Sequence, residues 1–595
     1  MTGFRFRDIN ALFVSGDIKR ITLRSWIFGT LLCLVLVKPL ILILALGVPI
    51  FFQDEWGLVP FLEKVWHGQS TFHDYWTAFG EHRIFFPRLI FASIYRPDRV
   101  DPKHVMIVSW LIMSVLYIVP IRCFFLKRSG MRDSSKFLYA FCFLSLGLSL
   151  VQYENWLWAL QLDFFLTQAF AILATIFIGI DALGIGTRSL LLALCAAGAS
   201  LCSGQGMLLW LSNALCVLII ARTSVSRWLL TFSFICGLLF FVWLYHADGS
   251  AQLRQSSRLF WIFHNPLESV RTYLALIGNP LSYCFGFSRL KQAPVVGFAL
   301  VLLFTCQISV VLKRKLFRHS IPFILLASFG FFYCGLVTLG RGEGGINEFF
   351  LTSRYATDSL SIPLALVGLS LTIGRYSERQ DRCIEIDFPS LYFPLLFALV
   401  LSLCSELQAV DWASKDSSAR RLAAGLLPFA TLFDDVTDGV PTGPFYSLCP
   451  VGKAAIIGKD ILPAMKVDFI PGLRDLKVTP LAGIGVQLKT DAKCKHVLYL
   501  NGHIDPRVLE GRVRIPERIT PQAILLRKPG EAKYLAAARL VKEEQSAKGF
   551  FVYRWMFLIL PELDPDPRTG FEAAVLDEEG AILYPLETAF GTRLY

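Results

Sequence analysis

The sequence predicts a polytopic α-helical membrane protein with about eleven transmembrane helices and a C-terminal extracytoplasmic β-sandwich domain. Three observations carry this. Hydrophobic residues make up 54% of the 595 positions and charged residues only 17%, against about 25% charged in soluble chains. The apolar residues gather in runs long enough to cross a bilayer, about 17–25 residues each. Near residue 405 the pattern changes to short alternating stretches between Gly, Pro and Asp turns. A mean hydropathy of +0.53 excludes a single large soluble enzyme, and so much apolar side chain excludes a disordered chain.

Candidate spans, in order, are 25–52, 104–126, 137–152, 164–180, 189–203, 207–221, 228–246, 294–312, 321–340, 356–374 and 388–405. The fifth and sixth are short and separated only by Ser203-Gly204-Gln205-Gly206, which suits either one hairpin or a broken, re-entrant pair. The membrane domain is expected over 1–405, with a long first external loop at 53–103, a helical linker at 406–435 and a mainly-β domain at 436–595. Within the last, 495–504, 508–515, 521–527, 549–560 and 571–584 read as strands, the spacing of a β-sandwich.

Charge sets the expected orientation. Residues 406–595 contain equal numbers of basic and acidic side chains, so the whole +12 belongs to 1–405. The alternate loops that hold Lys127, Arg128, Arg188, Arg227, Lys313, Arg314 and Arg318 fall on the same side as the basic N-terminal segment. The positive-inside rule makes that side cytoplasmic. The C-terminal domain is then periplasmic or otherwise extracytoplasmic, and the first run is a retained anchor. No Asn begins a glycosylation sequon, which favours a bacterial inner membrane. The basic excess suits anionic membrane lipids, and no nucleic-acid partner is expected. Most cysteines lie in apolar runs. Only Cys449 and Cys494 fall in the C-terminal domain, as a disulfide or as two free thiols.

Four groups on the external side carry chemistry. Asp54-Glu55-Trp56 follows the first span directly, and either carboxylate suits a general base; a polar, Trp-rich interface would look the same. Glu81-His82-Arg83, followed by Arg88, clusters where Pro87 suits the first turn of an interfacial helix, an anion site or an ordinary amphipathic helix. Tyr153-Glu154-Asn155-Trp156, with Trp158, Gln161 and Asp163, offers a second acid, hydroxyl-binding groups and rings that stack on sugars, or an aromatic belt. Arg341-Gly342-Glu343-Gly344-Gly345, then Ser353-Arg354-Tyr355, offers backbone N–H groups and a guanidinium for a phosphate, or a flexible turn with a snorkelling arginine. Lys38, next to Pro39 in the first span, is an intramembrane charge with no partner legible in the sequence. No GxSxG, Walker or HExxH motif accompanies these groups.

Placed together on one face, these elements resemble the GT-C superfamily of membrane glycosyltransferases, in its poorly characterised bacterial branch. The resemblance covers the layout of 1–405, with Asp54-Glu55 at the acidic position after the first span. It implies a polyprenyl-phosphate sugar donor, a glycan or lipid acceptor, and inversion by one displacement. Asp54 or Glu55 would accept the acceptor's proton, and Arg354 with Arg83 or Arg88 would face the leaving phosphate. No cofactor is required, although a divalent cation fits beside the carboxylates. No oligosaccharyltransferase signature is present. The rival expectations are a transporter or flippase of a lipid-linked glycan, an envelope acyltransferase using His82, and a scaffold presenting the β-domain.

Overall fold

The computed structural model describes residues 23–427, apart from 81, 97–99, 127–132, 181, 222, 248–260, 343–344, 348–349 and 380–387. Beyond them it describes 445, 448 and the strands between Thr490 and Pro585 with a few flanking residues. The chain is a multi-pass α-helical membrane protein. Among the described residues, nine helices are long and apolar enough to cross a bilayer. The expected runs at 189–203 and 207–221 form the shorter helices Ile185–Ser200 and Gly204–Ile220.

In chain order the helices are α1 (Leu23–Leu46), α2 (Val59–Trp66), α3 (Phe72–Trp76), α4 (Phe85–Ile94), α5 (Pro102–Pro120), α6 (Asp133–Gly147), α7 (Tyr153–Trp156), α8 (Leu162–Ile178) and α9 (Ile185–Ser200). They continue as α10 (Leu208–Ile220), α11 (Ser224–Ala247), α12 (Pro266–Gly278), α13 (Arg289–Lys313), α14 (Phe317–Arg341), α15 (Ala356–Ser359), α16 (Ser361–Arg379) and α17 (Phe388–Leu426). The long helices are apolar around most of their circumference, as membrane-buried helices are. Rows of side chains such as Leu34, Ile41 and Leu44 on α1 and Leu229, Phe232 and Trp243 on α11 remain exposed for lipid.

Two features bind the bundle. Lys38 Nζ on α1 pairs with Glu406 Oε1 on α17 at 2.5 Å and reaches Ser145 O at 3.4 Å. The intramembrane lysine therefore has a carboxylate partner from the other end of the membrane domain. That pair sits within α17, which runs unbroken from Phe388 to Leu426. The expected division at 405 between last span and linker helix is one continuous helix. Small residues make the second feature: α12 and α13 approach so closely that a Cβ on Gly278 or Gly297 would enter the facing backbone at Ala293 and Leu274.

The segment between α1 and α5 contains α2, α3 and α4. Pro87 lies in the first turn of α4, as expected. Toward the C-terminus, eight strands among the described residues form two four-stranded antiparallel sheets: β1 (Thr490–His496), β2 (Arg507–Pro516), β3 (Pro521–Arg527), β4 (Ala536–Arg539), β5 (Val541–Ser546), β6 (Phe550–Ile559), β7 (Glu572–Asp577) and β8 (Leu583–Pro585). Their orders are β1-β2-β6-β5 and β4-β3-β7-β8. Expected strands 508–515, 521–527 and 549–560 coincide with β2, β3 and β6. The expected stretch 571–584 takes in β7 and most of β8, and 495–504 begins within β1, its residues 497–504 lying outside the described residues. β4 and β5 are additional: the Ala-rich and charged segments that form them lack β-branched alternation.

Candidate functional site

The site is assembled at one end of the bundle, where the turns after α1, α6 and α14 meet the C-terminal part of α17. Residues Gln53–Leu58 form a 3-10 turn. Gln53 has φ 47°, an uncommon conformation for a residue with a side chain. The turn presents its two acids oppositely. Asp54 is exposed and has no hydrogen bond or ion pair among the described residues. Glu55 is fully buried, its Oε2 accepting Phe52 N–H and its Oε1 accepting Leu160 N–H, both at 2.8 Å. Burial pushes its carboxyl up to about 8, against the pull of those two amides and of Arg420. The two acids expected to act as alternatives thus have different environments.

The turn is clamped from several sides. Leu448 O accepts Gln53 N–H at 2.8 Å and Trp56 Nε1–H at 3.2 Å. The ring of Phe79 lies against Gly57, where an added Cβ would meet it at 3.0 Å. The Arg420 guanidinium stacks on the Phe52 ring, 3.5 Å from its centroid. It also donates to Leu157 O at 2.8 Å and pairs with Asp416 at 2.6 Å.

The segment 150–161 interlocks with 353–357. Arg354 N–H donates to Glu154 Oε2 at 2.7 Å, and Glu154 N–H donates to Ser353 Oγ at 3.1 Å. Asn155 Nδ2 donates to Arg354 O at 2.9 Å and Thr357 Oγ1 at 2.5 Å. Thr357 in turn donates to Gln152 Oε1 at 2.8 Å. The Arg354 guanidinium lies 5.2 Å from the Tyr355 ring centroid and interacts with the Tyr355 side chain, while its Nε has no hydrogen-bond partner. Arg341 approaches the same ring at 6.0 Å. Glu154 and Arg354 are close enough for their charges to interact, and Glu154 also feels Arg420 and Asp416.

The remaining expected residues have structural partners. Arg83 is buried and donates to Trp76 O and Leu244 O, each at 2.8 Å. Arg88 donates to Tyr75 O at 3.3 Å and to Thr77 O; burial lowers its guanidinium to about 10. Both arginines turn inward to carbonyls, because a buried guanidinium is costly unless its donors are satisfied. His82 Nδ1 accepts Gly204 N–H at 3.2 Å, so the neutral ring carries its proton on Nε2. Trp156 is fully buried, packed 4.2 Å from Phe165 and bonded to Ser149 O. Trp158 is buried against Phe52. These indoles are core, not open platforms for a sugar. Gln161 is also buried. Glu81, Glu343, Gly344 and Cys449 lie outside the described residues.

A divalent cation would need several free oxygens. Glu55 has given both of its oxygens to backbone amides, and no group of three His, Cys, Asp or Glu side chains suited to a metal occurs among the described residues.

Sequence reasoning missed Arg420 and Asp358. Asp416 and Arg420 stand four apart on α17, a legible helical pair, but nothing local shows that they insert beside Phe52. Asp358 was detectable as an acid at the start of an apolar run.

Comparison with family models, with curated proteins and with solved structures finds no match to the chain.

Proposed function

We propose that the chain is a membrane glycosyltransferase of GT-C type. It moves a sugar from a polyprenyl-phosphate donor to an envelope glycan or lipid acceptor at the external face, with inversion. The observation that carries this reading is the meeting of the turn that exposes Asp54 with a turn system that holds Arg354 between the Glu154 carboxylate and the Tyr355 side chain, its Nε without a hydrogen-bond partner. Asp54 accepts the acceptor hydroxyl's proton as that oxygen attacks the anomeric carbon. The carbon–oxygen bond to the lipid phosphate breaks, and Arg354, with Arg341 across the Tyr355 ring, faces the released charge. Glu55 is a positioning residue that fixes the turn. Arg83 and Arg88 brace the first external loop. In this reading the N-terminus is cytoplasmic, and the two β-sheets form an extracytoplasmic β-sandwich.

The test is transfer of labelled sugar from a polyprenyl-phosphate donor in membranes carrying the full chain. Asp54→Asn is expected to lower turnover by ~10²–10⁴-fold, the usual share of general-base help. Glu55→Gln should retain the greater part. A folded Asp54→Asn protein with wild-type turnover sinks the assignment.

A second reading, transport of a lipid-linked glycan, draws on the ionisable groups within the spans: Lys38, Glu406, Asp163 and Asp358. It predicts that proteoliposomes move the donor headgroup across the bilayer with no new glycosidic bond.

A further inference from the structure

Inside the bundle, two helices that pack against each other each bury a carboxylate that the transfer mechanism does not use. Asp163 opens α8 and is 3% exposed; Asp358 lies in α15 and is 0% exposed. Their charges interact. Asp163 Oδ1 accepts Phe164 N–H at 2.7 Å, and the Ser203 hydroxyl also reaches this carboxyl. Neither oxygen of Asp358 has a hydrogen-bond partner. Gln205, 5% exposed, turns its side chain to Asp358, and the buried Tyr333 hydroxyl, which has no hydrogen-bond partner, lies within electrostatic reach of Asp358.

The titratable groups that feel either carboxylate are Tyr117 from α5, Cys202 and Tyr245 beside Asp163, and Tyr333 and Cys334 from α14. None is a cation. Two ionised carboxylates without a counter-charge at this depth would suffer both desolvation and mutual repulsion. One proton removes the repulsion and turns one acid into a donor for the other, filling an acceptor that the fold leaves empty.

We propose that Asp163 and Asp358 form an intramembrane proton-binding site that holds one proton between them at neutral pH. The bound species is a proton from solution; it forms one O–H bond and takes the pair from charge −2 to −1. Its connection to the surface runs through Ser203, whose Oγ lies 2.5 Å from Gln205 Oε1 and 3.2 Å from Nδ1 of the half-buried His82. The site is independent of the transfer reaction, and the transport reading would use it equally.

Infrared spectroscopy of the full chain in lipid nanodiscs at neutral pH tests this. Aspartate labelled with ¹³C at the side-chain carboxyl is expected to shift a protonated-carboxyl stretching band in the wild type. Glu55, unlabelled, leaves its own band in place. That band should move or vanish in Asp163→Asn and in Asp358→Asn and be missing from the double variant, with the amide band unchanged. The label experiment needs no variant and stands if the double variant fails to fold. A wild-type spectrum without any label-sensitive carboxylic-acid band overturns the proposal. So does a band abolished by adding sodium chloride in place of choline chloride, which would make the occupant a metal cation.

Discussion

Asp54 and Glu55 are neighbours in sequence and equivalent in type, yet the fold gives one to solvent and the other to the interior. A 3-10 turn rotates successive side chains by about a third of a circle, so adjacent acids cannot share an environment unless both faces are alike. The consequence for Glu55 is a pH dependence. Its carboxyl titrates near 4.5 when unfolded and about 8 when folded. Stability from this group is full below the lower value and declines as pH rises through the upper one, by roughly 1.4 kcal/mol per pH unit in between. Thermal unfolding followed from pH 5 to 8 should show that decline in the wild type and a flatter profile in Glu55→Gln. Equal slopes would show that Glu55 is not the source. At Arg354 the expectation concerns charge: Arg354→Gln should weaken donor use strongly while Arg88→Gln chiefly lowers stability. This is measured as the ratio of transfer rate to folded fraction.

Elements show where apolar length alone misleads. The run 388–405 ends in sequence terms at Glu406, because a charge normally marks the edge of a membrane. The helix continues because Lys38 neutralises that charge from α1. Removing one partner of a buried pair typically costs about 3–5 kcal/mol, whereas replacing both by apolar groups is near neutral. Lys38→Met and Glu406→Leu should therefore each lower the unfolding midpoint in detergent, and the double variant should recover much of the loss. Additive losses would show that the two side chains do not act as a pair. The α9–α10 hairpin turns on Gly206, where a Cβ would run into the Ala199 carbonyl. Gly206→Ala should destabilise the hairpin and displace Ser203 from His82, visible as increased protease or thiol-reagent access at Cys202, which is buried in the folded chain.

At the scale of the whole molecule the chain alternates between two ends. The turns that carry Asp54, Glu154 and Arg354 collect at one end, and those near Arg188, Lys313 and Arg318 collect at the other. The excess of basic side chains at the second end predicts that it faces the cytoplasm. In a cysteine-free background, Gln69→Cys should react with a membrane-impermeant maleimide added to intact cells, and Lys313→Cys only after permeabilisation. Labelling of both in intact cells would put on one side of the membrane two residues that the bundle places at opposite ends, and would overturn this orientation.

The sequence by itself determined the membrane class, most of the long helices and three of the strands, because run length and alternation are local consequences of burial in lipid or in a half-buried sheet. It also marked three segments, around 54, 154 and 354, that the fold brings into one contact system. Tertiary structure decided what each side chain does there. Arg83, Arg88, Trp156 and Trp158 were legible as functional types and became internal braces. Lys38 received its partner from α17, and Asp163 met Asp358 across the bundle. A side chain's exposure and partner depend on which helix lies beside it, and helix neighbours are chosen by packing among segments far apart in the chain, a quantity that no local pattern of residues encodes.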